Sequence, residues 1–415
     1  MEQRRATWVA RNLDPDWTAI PDRPSCEIIG DGLLLFAGVS NSYALETKEG
    51  LLIIDPGHKQ TQESFYNAVR AWSQAPVRSV AYTHGHSDHA CSFSLFLADG
   101  DRPEVIAQEN CAKRFERYDS MCGFNQHINR RQFSDPDREF PKDFLRPSLT
   151  FRDSFAHTVG GVDVEFHAAK GETDDHCYIW IPSRGALFVG DNATWKIPNA
   201  GNPLKLQRYP IEWADGLEQM AKLGAEWLCP GHDLVLRGAK NVRTLLRTQA
   251  QYLRSLIDQV RNRMNAGQSY DEILHGVQPD PELAKLPFLR SVYNHPQFIV
   301  RDLLRNWGGW WDGVGGSLLP APRDEQANEI IKLAGGVESV LDRALTLAEE
   351  GNHRLACHLI DWTVQAEPGS CRAQMARRDV YRGRAEVETA GMARGFFLTE
   401  VLEAEHAIAE LAPGA

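Results

Sequence analysis

Three histidines and one aspartate crowd into six residues of the stretch Thr83-His84-Gly85-His86-Ser87-Asp88-His89-Ala90. Imidazole and carboxylate are the donors that suit zinc, iron or manganese. The flank Val80-Ala81-Tyr82 reads as the end of a short strand. A strand end that turns into a helix start points His84 and His86 one way and Asp88 and His89 another. That arrangement suits two metals side by side better than one. With fourteen histidines in 415 residues, three within six positions is a poor fit to chance scatter.

The elements that would position these groups are short apolar strands with polar ends. Leu51-Leu52-Ile53-Ile54 is wholly apolar, as expected of a strand buried on both faces, and it ends in Asp55-Pro56-Gly57. Asp55 could orient a metal ligand from behind, or cap a turn. Phe65, Val69 and Trp72 follow at helical spacing, and Val77–Tyr82 leads into the histidine cluster. Ala186–Val189 ends in Gly190-Asp191, and Trp227–Pro230 ends in Gly231-His232. Between them, Gly171-Glu172-Thr173-Asp174-Asp175-His176 is a polar turn. Residues 100–150 read as an irregular, charged excursion, possible as a lid, in which Met121, Phe124 and Phe144 either line an apolar channel or pack. The character changes after about residue 240. Residues 240–266 carry a helical stripe, and 326–350, 352–366 and 370–411 are helical in pattern, broken at Gly351-Asn352 and Glu367-Pro368-Gly369.

At 415 residues the chain should hold two or three domains. Its net charge of −11 argues against a nucleic-acid surface. The eight cysteines include no CxxC pair, so reduced core thiols are expected. Residues 1–8 show no apolar leader core, and no run is long enough for a membrane span, so a cytoplasmic protein is expected.

His84-x-His86-x-Asp88-His89, with Asp55-Pro56-Gly57 before it and Gly190-Asp191 and Gly231-His232 after it, resembles the metallo-β-lactamase superfamily over about residues 26–240. The segments around Trp307–Gly313, Leu333–Gly336, Glu349–Ala356 and Ala366–Pro368 resemble the dimerisation region of its alkylsulfatase branch. The resemblance implies an α/β fold, an αββα sandwich with the metals at one sheet edge, followed by an all-α domain. We place a catalytic domain at 1–248 and a helical, homodimerising domain at 249–415. By the same resemblance His84, His86 and Glu172 would hold a first metal, with Glu172 standing where most of the superfamily has histidine. Asp88, His89 and His232 would hold a second, and Asp191 would bridge. Asp88 and Asp191 are the candidate catalytic carboxylates. His176, Asp233 and His295 are candidates for orienting ligands or touching substrate. The expected cofactors are two divalent ions, zinc first, with iron or manganese as alternatives.

The expected chemistry is hydrolysis by a hydroxide shared between the two metals. Residues 192–203 lack the arginines that the sulfatase branch carries there, and Phe298 occupies a position where that branch has histidine. A carbonyl substrate needs no sulfate clamp. The sequence therefore favours a thioester or ester of a bulky apolar acyl group, with acyl-CoA foremost. An alkyl sulfatase is the alternative, and a lactonase or a non-catalytic helical scaffold comes after it.

Overall fold

The computed structural model describes residues 24–30 and 32–411; the N-terminal stretch read for a leader lies outside them. Strands β1 (Ser25–Gly30), β2 (Leu33–Ala37), β3 (Asn41–Thr47), β4 (Gly50–Ile54), β5 (Val77–Ala81), β6 (Glu104–Gln108) and β7 (Leu149–Phe151) lie in sequence order in a seven-stranded sheet. Pairing is antiparallel from β1 to β4 and parallel from β4 to β7. Strands β8 (Ser154–Val159), β9 (Val162–Ala168), β10 (Cys177–Ile181), β11 (Ala186–Gly190), β12 (Trp227–Pro230) and β13 (Leu236–Arg237) form a second sheet, ordered β13-β12-β11-β10-β9-β8. Only its β11–β12 pair is parallel.

The apolar runs explain how these sheets stack. Side chains alternate between the faces of a strand, so a run with no polar break must be covered on both sides. In β4, Leu52 and Ile54 join the core between the sheets, with Phe166, Ile179 and Phe188. Leu51 and Ile53 join Phe65, Val69, Phe96 and Phe115 in a core beneath helices Gln62–Trp72, Ser94–Ala98 and Glu109–Ser120. In β11, Ala186 and Phe188 point inward, while Leu187 and Val189 meet Trp213, Leu246, Leu253 and Leu303. Those four belong to helices Pro210–Met220, Ala239–Asn265 and Pro296–Trp307. The result is the expected αββα layering. Each fully buried Leu or Ile contributes roughly 1.5–3 kcal/mol, so the strands that end in Asp55 and Asp191 are firmly held.

The stretch 100–150 is more regular than its charge suggested. It holds β6 and the helices Glu109–Ser120 and Cys122–Phe133. Phe144 is buried and stacks on Phe115 at 4.6 Å, whereas Met121 and Phe124 are exposed.

The chain divides into two compact units, one made of 1–125 and 140–309, the other of 126–139 and 310–415. The helix Ala239–Asn265 runs unbroken through residue 248, where the sequence-based division was drawn. Its buried stripe, from Val242 to Val260, packs on the second sheet's core, so it stays with the first unit. The second unit contains helices Arg323–Leu333, Val337–Glu349, His353–Ala366, Cys371–Glu386 and Gly391–Leu411 around Leu341, Leu347, Ile360, Val380, Tyr381 and Val401. Left-handed glycines, Gly335, Gly336 and Gly351, make two of its turns. Within this unit Arg131 pairs with Glu400 and Glu403, and Thr399 Oγ1 donates to Arg131 O at 2.7 Å. No helix among the described residues is long and apolar enough to cross a membrane. All eight cysteines are free.

Candidate metal centre

β5 delivers the chain to Tyr82 and Thr83, and the helix Ser87–Ala90 starts four residues later. His84 and His86 lie on the extended connection, and Asp88 and His89 on the first turn. Ligand atoms of His84, His86, Glu172 and Asp191 all lie within 4.8 Å of one another, and those of Asp88, His89 and His232 form a second such group. Asp191 joins the two. Its Oδ1 is 3.3 Å from His89 Nε2 and its Oδ2 is 3.5 Å from His232 Nε2. His232 Nε2 is also 3.2 Å from Asp88 Oδ2. Glu172 Oε2 is 3.9 Å from His84 Nε2 and 3.7 Å from His86 Nδ1.

Supporting contacts fix the rings. Asp55, at the end of β4, accepts from Thr83 N and Thr83 Oγ1 at 2.8 and 2.6 Å. Its Oδ2 lies 3.1 Å from His89 Nδ1, which leaves Nε2 turned to the cluster. The Val39 carbonyl is 3.1 Å from His232 Nδ1. His176 is fully buried and stacks on His84, with centroids 4.7 Å apart and planes 22° apart. Its Nε2 accepts from Asp191 N at 3.2 Å. Asp233 serves a different purpose from orienting His232: it accepts from Trp195 N at 3.0 Å and pairs with Lys196 Nζ at 2.9 Å. It thereby pins the loop after Asp191. His295 caps the helix Pro296–Trp307 through Nδ1, which accepts from Gln297 N at 3.1 Å.

Two site residues carried no signal in the sequence. Arg208 is buried, donates to the Glu172 carbonyl, and holds Nη1 3.1 Å from Glu172 Oε1. Asn199 Nδ2 donates to the same Oε1 at 2.5 Å. Glu172 is thus divided, with Oε1 committed to Arg208 and Asn199 and Oε2 facing the histidines. The helix Pro296–Trp307 supports this loop. Asp302 Oδ2 accepts from Arg208 N at 3.2 Å, Asn294 Nδ2 donates to Pro198 O at 3.2 Å, and Phe298 contributes backbone packed against Gly201.

The electrostatics split by cluster. Burial drives His84 and His86 well below the usual histidine range, so their lone pairs are available. Burial pushes Glu172 up to about 8, against the pull of Arg208. Burial also opposes charge on His232, but Asp191 and Asp88 overcome it and raise His232 to about 10. Asp191 is held well below the carboxylate range by His232 and His89, despite its own burial. Protons on His89 and His232 sit where a cation would bind.

A divalent cation fits this donor set. Glu172 Oε2, Asp191 Oδ1 and His89 Nε2 are buried with no hydrogen-bond partner. An orphaned buried polar atom is costly, and these three belong to the two clusters. Close packing keeps the space for donors alone. A Cβ on Gly231 would lie 2.5 Å from Asp191 Oδ1 and 2.6 Å from His89 Cε1. At Gly190, where φ is +47°, a Cβ would collide with Thr83 Oγ1 and lie 2.8 Å from His176 Nε2. Gly190→Ala should therefore lose at least the ~1 kcal/mol of left-handed backbone strain, plus the clash, and should bind less metal. A denaturation midpoint and a metal content equal to those of the wild type would contradict this.

A metallo-beta-lactamase superfamily model matches residues 35–232, and an alkyl sulfatase dimerisation model matches residues 269–407. The chain is 26% identical over 352 residues to a linear primary-alkylsulfatase of a Pseudomonas species, covering 78% of this chain and 66% of that protein. It is 24% identical to an (R)-specific secondary-alkylsulfatase of Pseudomonas, over 89% of this chain and 60% of the relative. An alkyl/aryl-sulfatase of Saccharomyces cerevisiae is 22% identical, over 88% of this chain and 61% of its own length. The chain thus spans somewhat under two thirds of the length of these relatives. The solved structure of a stereoselective inverting secondary alkylsulfatase from Pseudomonas shares the fold, with a TM-score of 0.83 at 22% identity over 94% of this chain and 66% of that one.

Proposed function

We propose that this chain, which carries a metallo-beta-lactamase domain and an alkyl sulfatase dimerisation domain, is a metal-dependent hydrolase of alkyl sulfate esters. The observation that carries this reading is the buried Arg208 guanidinium beside Glu172, at the rim of two donor clusters joined by Asp191. A sulfate ester is an anion and needs N–H donors. The stretch 192–203 lacks an arginine, which favoured a carbonyl substrate on sequence grounds. Folding supplies the cation from residue 208 instead, and Arg208 Nε is buried with no hydrogen-bond partner. The thioester reading draws no support from the relatives, and three of them carry sulfatase names.

His84, His86, Glu172 and Asp191 would hold one divalent ion, and Asp88, His89, His232 and Asp191 the other, zinc being the first candidate. When bound, such ions supply Lewis acidity and bring the pKa of water near neutrality. The protein's own part is orientation and proton handling. Arg208 and Asn199 fix Glu172. Asp55, Val39 and His176 fix His89, His232 and Asp191. Asp88 is the most exposed of the three carboxylates, at 29% against 13% for Asp191 and 4% for Glu172, and against its own desolvation His89 and His232 hold it well below the usual carboxylate range, so it stays ionised. His295 caps the helix that packs against the Arg208 loop and stays a candidate for touching substrate. Homodimerisation through the helical unit is supported by the dimerisation match and by exposed Trp310, Leu319 and Leu333.

The test is direct. Metal-loaded protein should release inorganic sulfate from dodecyl sulfate and secondary alkyl sulfates, with kcat/KM at least ~100-fold above that for any acyl-CoA or lactone, a gap of about 3 kcal/mol. Chelation should abolish this and lower the melting temperature, since ions at a thousandfold over Kd add about 4 kcal/mol of stability. Acyl-CoA cleavage without sulfate release would overturn the proposal.

A further inference from the structure

We propose that Arg114 and Asp175 act as a positioning pair for the turn that carries His84 and His86, and so set the affinity of the first metal. The inference rests on the metal reading above and adds two residues to it.

Gly85 separates the two histidines. Its backbone N–H donates to Asp175 Oδ2 at 2.7 Å. The other oxygen, Oδ1, accepts from Arg114 Nε at 2.8 Å, and an Arg114 terminal nitrogen pairs with Asp174. Arg114 and Asp175 are 7% and 1% exposed. Arg114 stands on the helix Glu109–Ser120, whose Asn110 Nδ2 also donates to Asp174 O at 3.4 Å. Three segments distant in sequence are thereby tied together: this helix, the Glu172–His176 turn and the histidine turn. The fit is tight from the other side as well. A Cβ at Gly85 would lie 3.0 Å from Asp175 Oδ2, 3.1 Å from Arg114 Cδ and 3.1 Å from Cys111 Sγ.

Both carboxylate oxygens of Asp175 accept from N–H donors. An asparagine has one acceptor oxygen and an NH2 group, which would face either Gly85 N–H or Arg114 Nε–H as donor against donor. Lysine at 114 keeps the charge but loses the fixed Nε geometry. The same turn contributes Glu172, so its displacement affects three of the four donors of the first cluster. His89 and His232 depend on Asp55 and Val39 instead, and the Asp88 carbonyl accepts from Ser40 Oγ.

The experiment is zinc titration of the full-length apo protein against a chromophoric chelator, with circular dichroism to verify folding. In the wild type two equivalents should bind. In Asp175→Asn and Arg114→Lys one equivalent should weaken by ~10–100-fold, the scale for groups that orient ligands, while the other is retained. A purely structural pair would lower the melting temperature and leave both affinities alone, and that result overturns the proposal. Should either variant fail to fold, Gly85→Ala leaves both charges in place and crowds Asp175. It carries the same expectation, and wild-type affinities there overturn the proposal. A wild-type chain that binds no zinc overturns the metal reading, and the pair's role with it. Two equivalents in wild type and unchanged variants overturn the positioning role alone.

Discussion

Asp191→Asn is expected to cut the rate of sulfate release by ~10³-fold or more, because the proposed two-ion arrangement would be dismantled. Asp191 belongs to the donor group of His84, His86 and Glu172, and it also reaches the other group, with one oxygen 3.3 Å from His89 Nε2 and the other 3.5 Å from His232 Nε2. Asparagine offers one oxygen, no charge, and an NH2 that points as a donor at a histidine or a cation. The chain should still fold. Asp191 sits at the end of a strand whose apolar residues are buried in two separate cores, and those contacts are untouched. The paired measurement is sulfate release together with bound metal. Metal should fall to one ion per chain or fewer. A variant that keeps two ions and more than a tenth of the activity would contradict the bridging role.

Arg208→Ala is the second large effect. Arg208 is the cation that pulls Glu172 down against burial, and Glu172 already stands near 8 with it present. Without it, Glu172 rises further, so the protonated form dominates over a wider range and metal uptake shifts to higher pH. The sign follows from linkage. A carboxyl raised in the folded state favours the protonated form, and the cation must displace that proton. Because Glu172 takes up a proton, no unpaired buried charge is left, and the stability loss is that of the buried contacts to the Glu172 carbonyl and Oε1, about 1–3 kcal/mol; kcat/KM for alkyl sulfates should fall by ~100-fold or more as that ligand and the proposed anion donor are lost together. Arg208→Lys should recover part of the stability and little of the rate, because a point charge does not reproduce the contacts of the guanidinium fork. Stopped assays across pH and urea unfolding check both parts. Unchanged turnover in Arg208→Ala would show that neither Glu172 nor substrate depends on the arginine.

The donor clusters were legible in the sequence because their signal is local. His84 to His89 fall within six residues, and Asp55, Asp191 and His232 each follow an apolar run that reads as a buried strand; the grouping of Glu172, Asp191 and His232 with that turn came from the family resemblance. The αββα layering came from the family resemblance; the apolar runs agree with it, since they demand cover on both faces, but would not have given it unaided. Arg208 and Asn199 were not legible. Each is a single polar residue in a loop, and only burial 36 and 27 positions away from Glu172 gives it meaning. The helix Glu109–Ser120 was missed because Arg114 breaks its apolar stripe. A buried arginine reads as a surface residue until its partners Asp174 and Asp175 are in view. The division at 248 fell inside a long amphipathic helix. Periodicity marked that helix's buried side but not the body it would cover.

The most direct test of the central claim is the metal content of the full-length protein, purified without added metal and again after reconstitution with zinc, counted per chain. Two ions per chain, falling to one or none in Asp191→Asn, is the predicted result. One ion or none in the reconstituted wild-type chain would contradict a centre built from His84, His86, Asp88, His89, Glu172, Asp191 and His232.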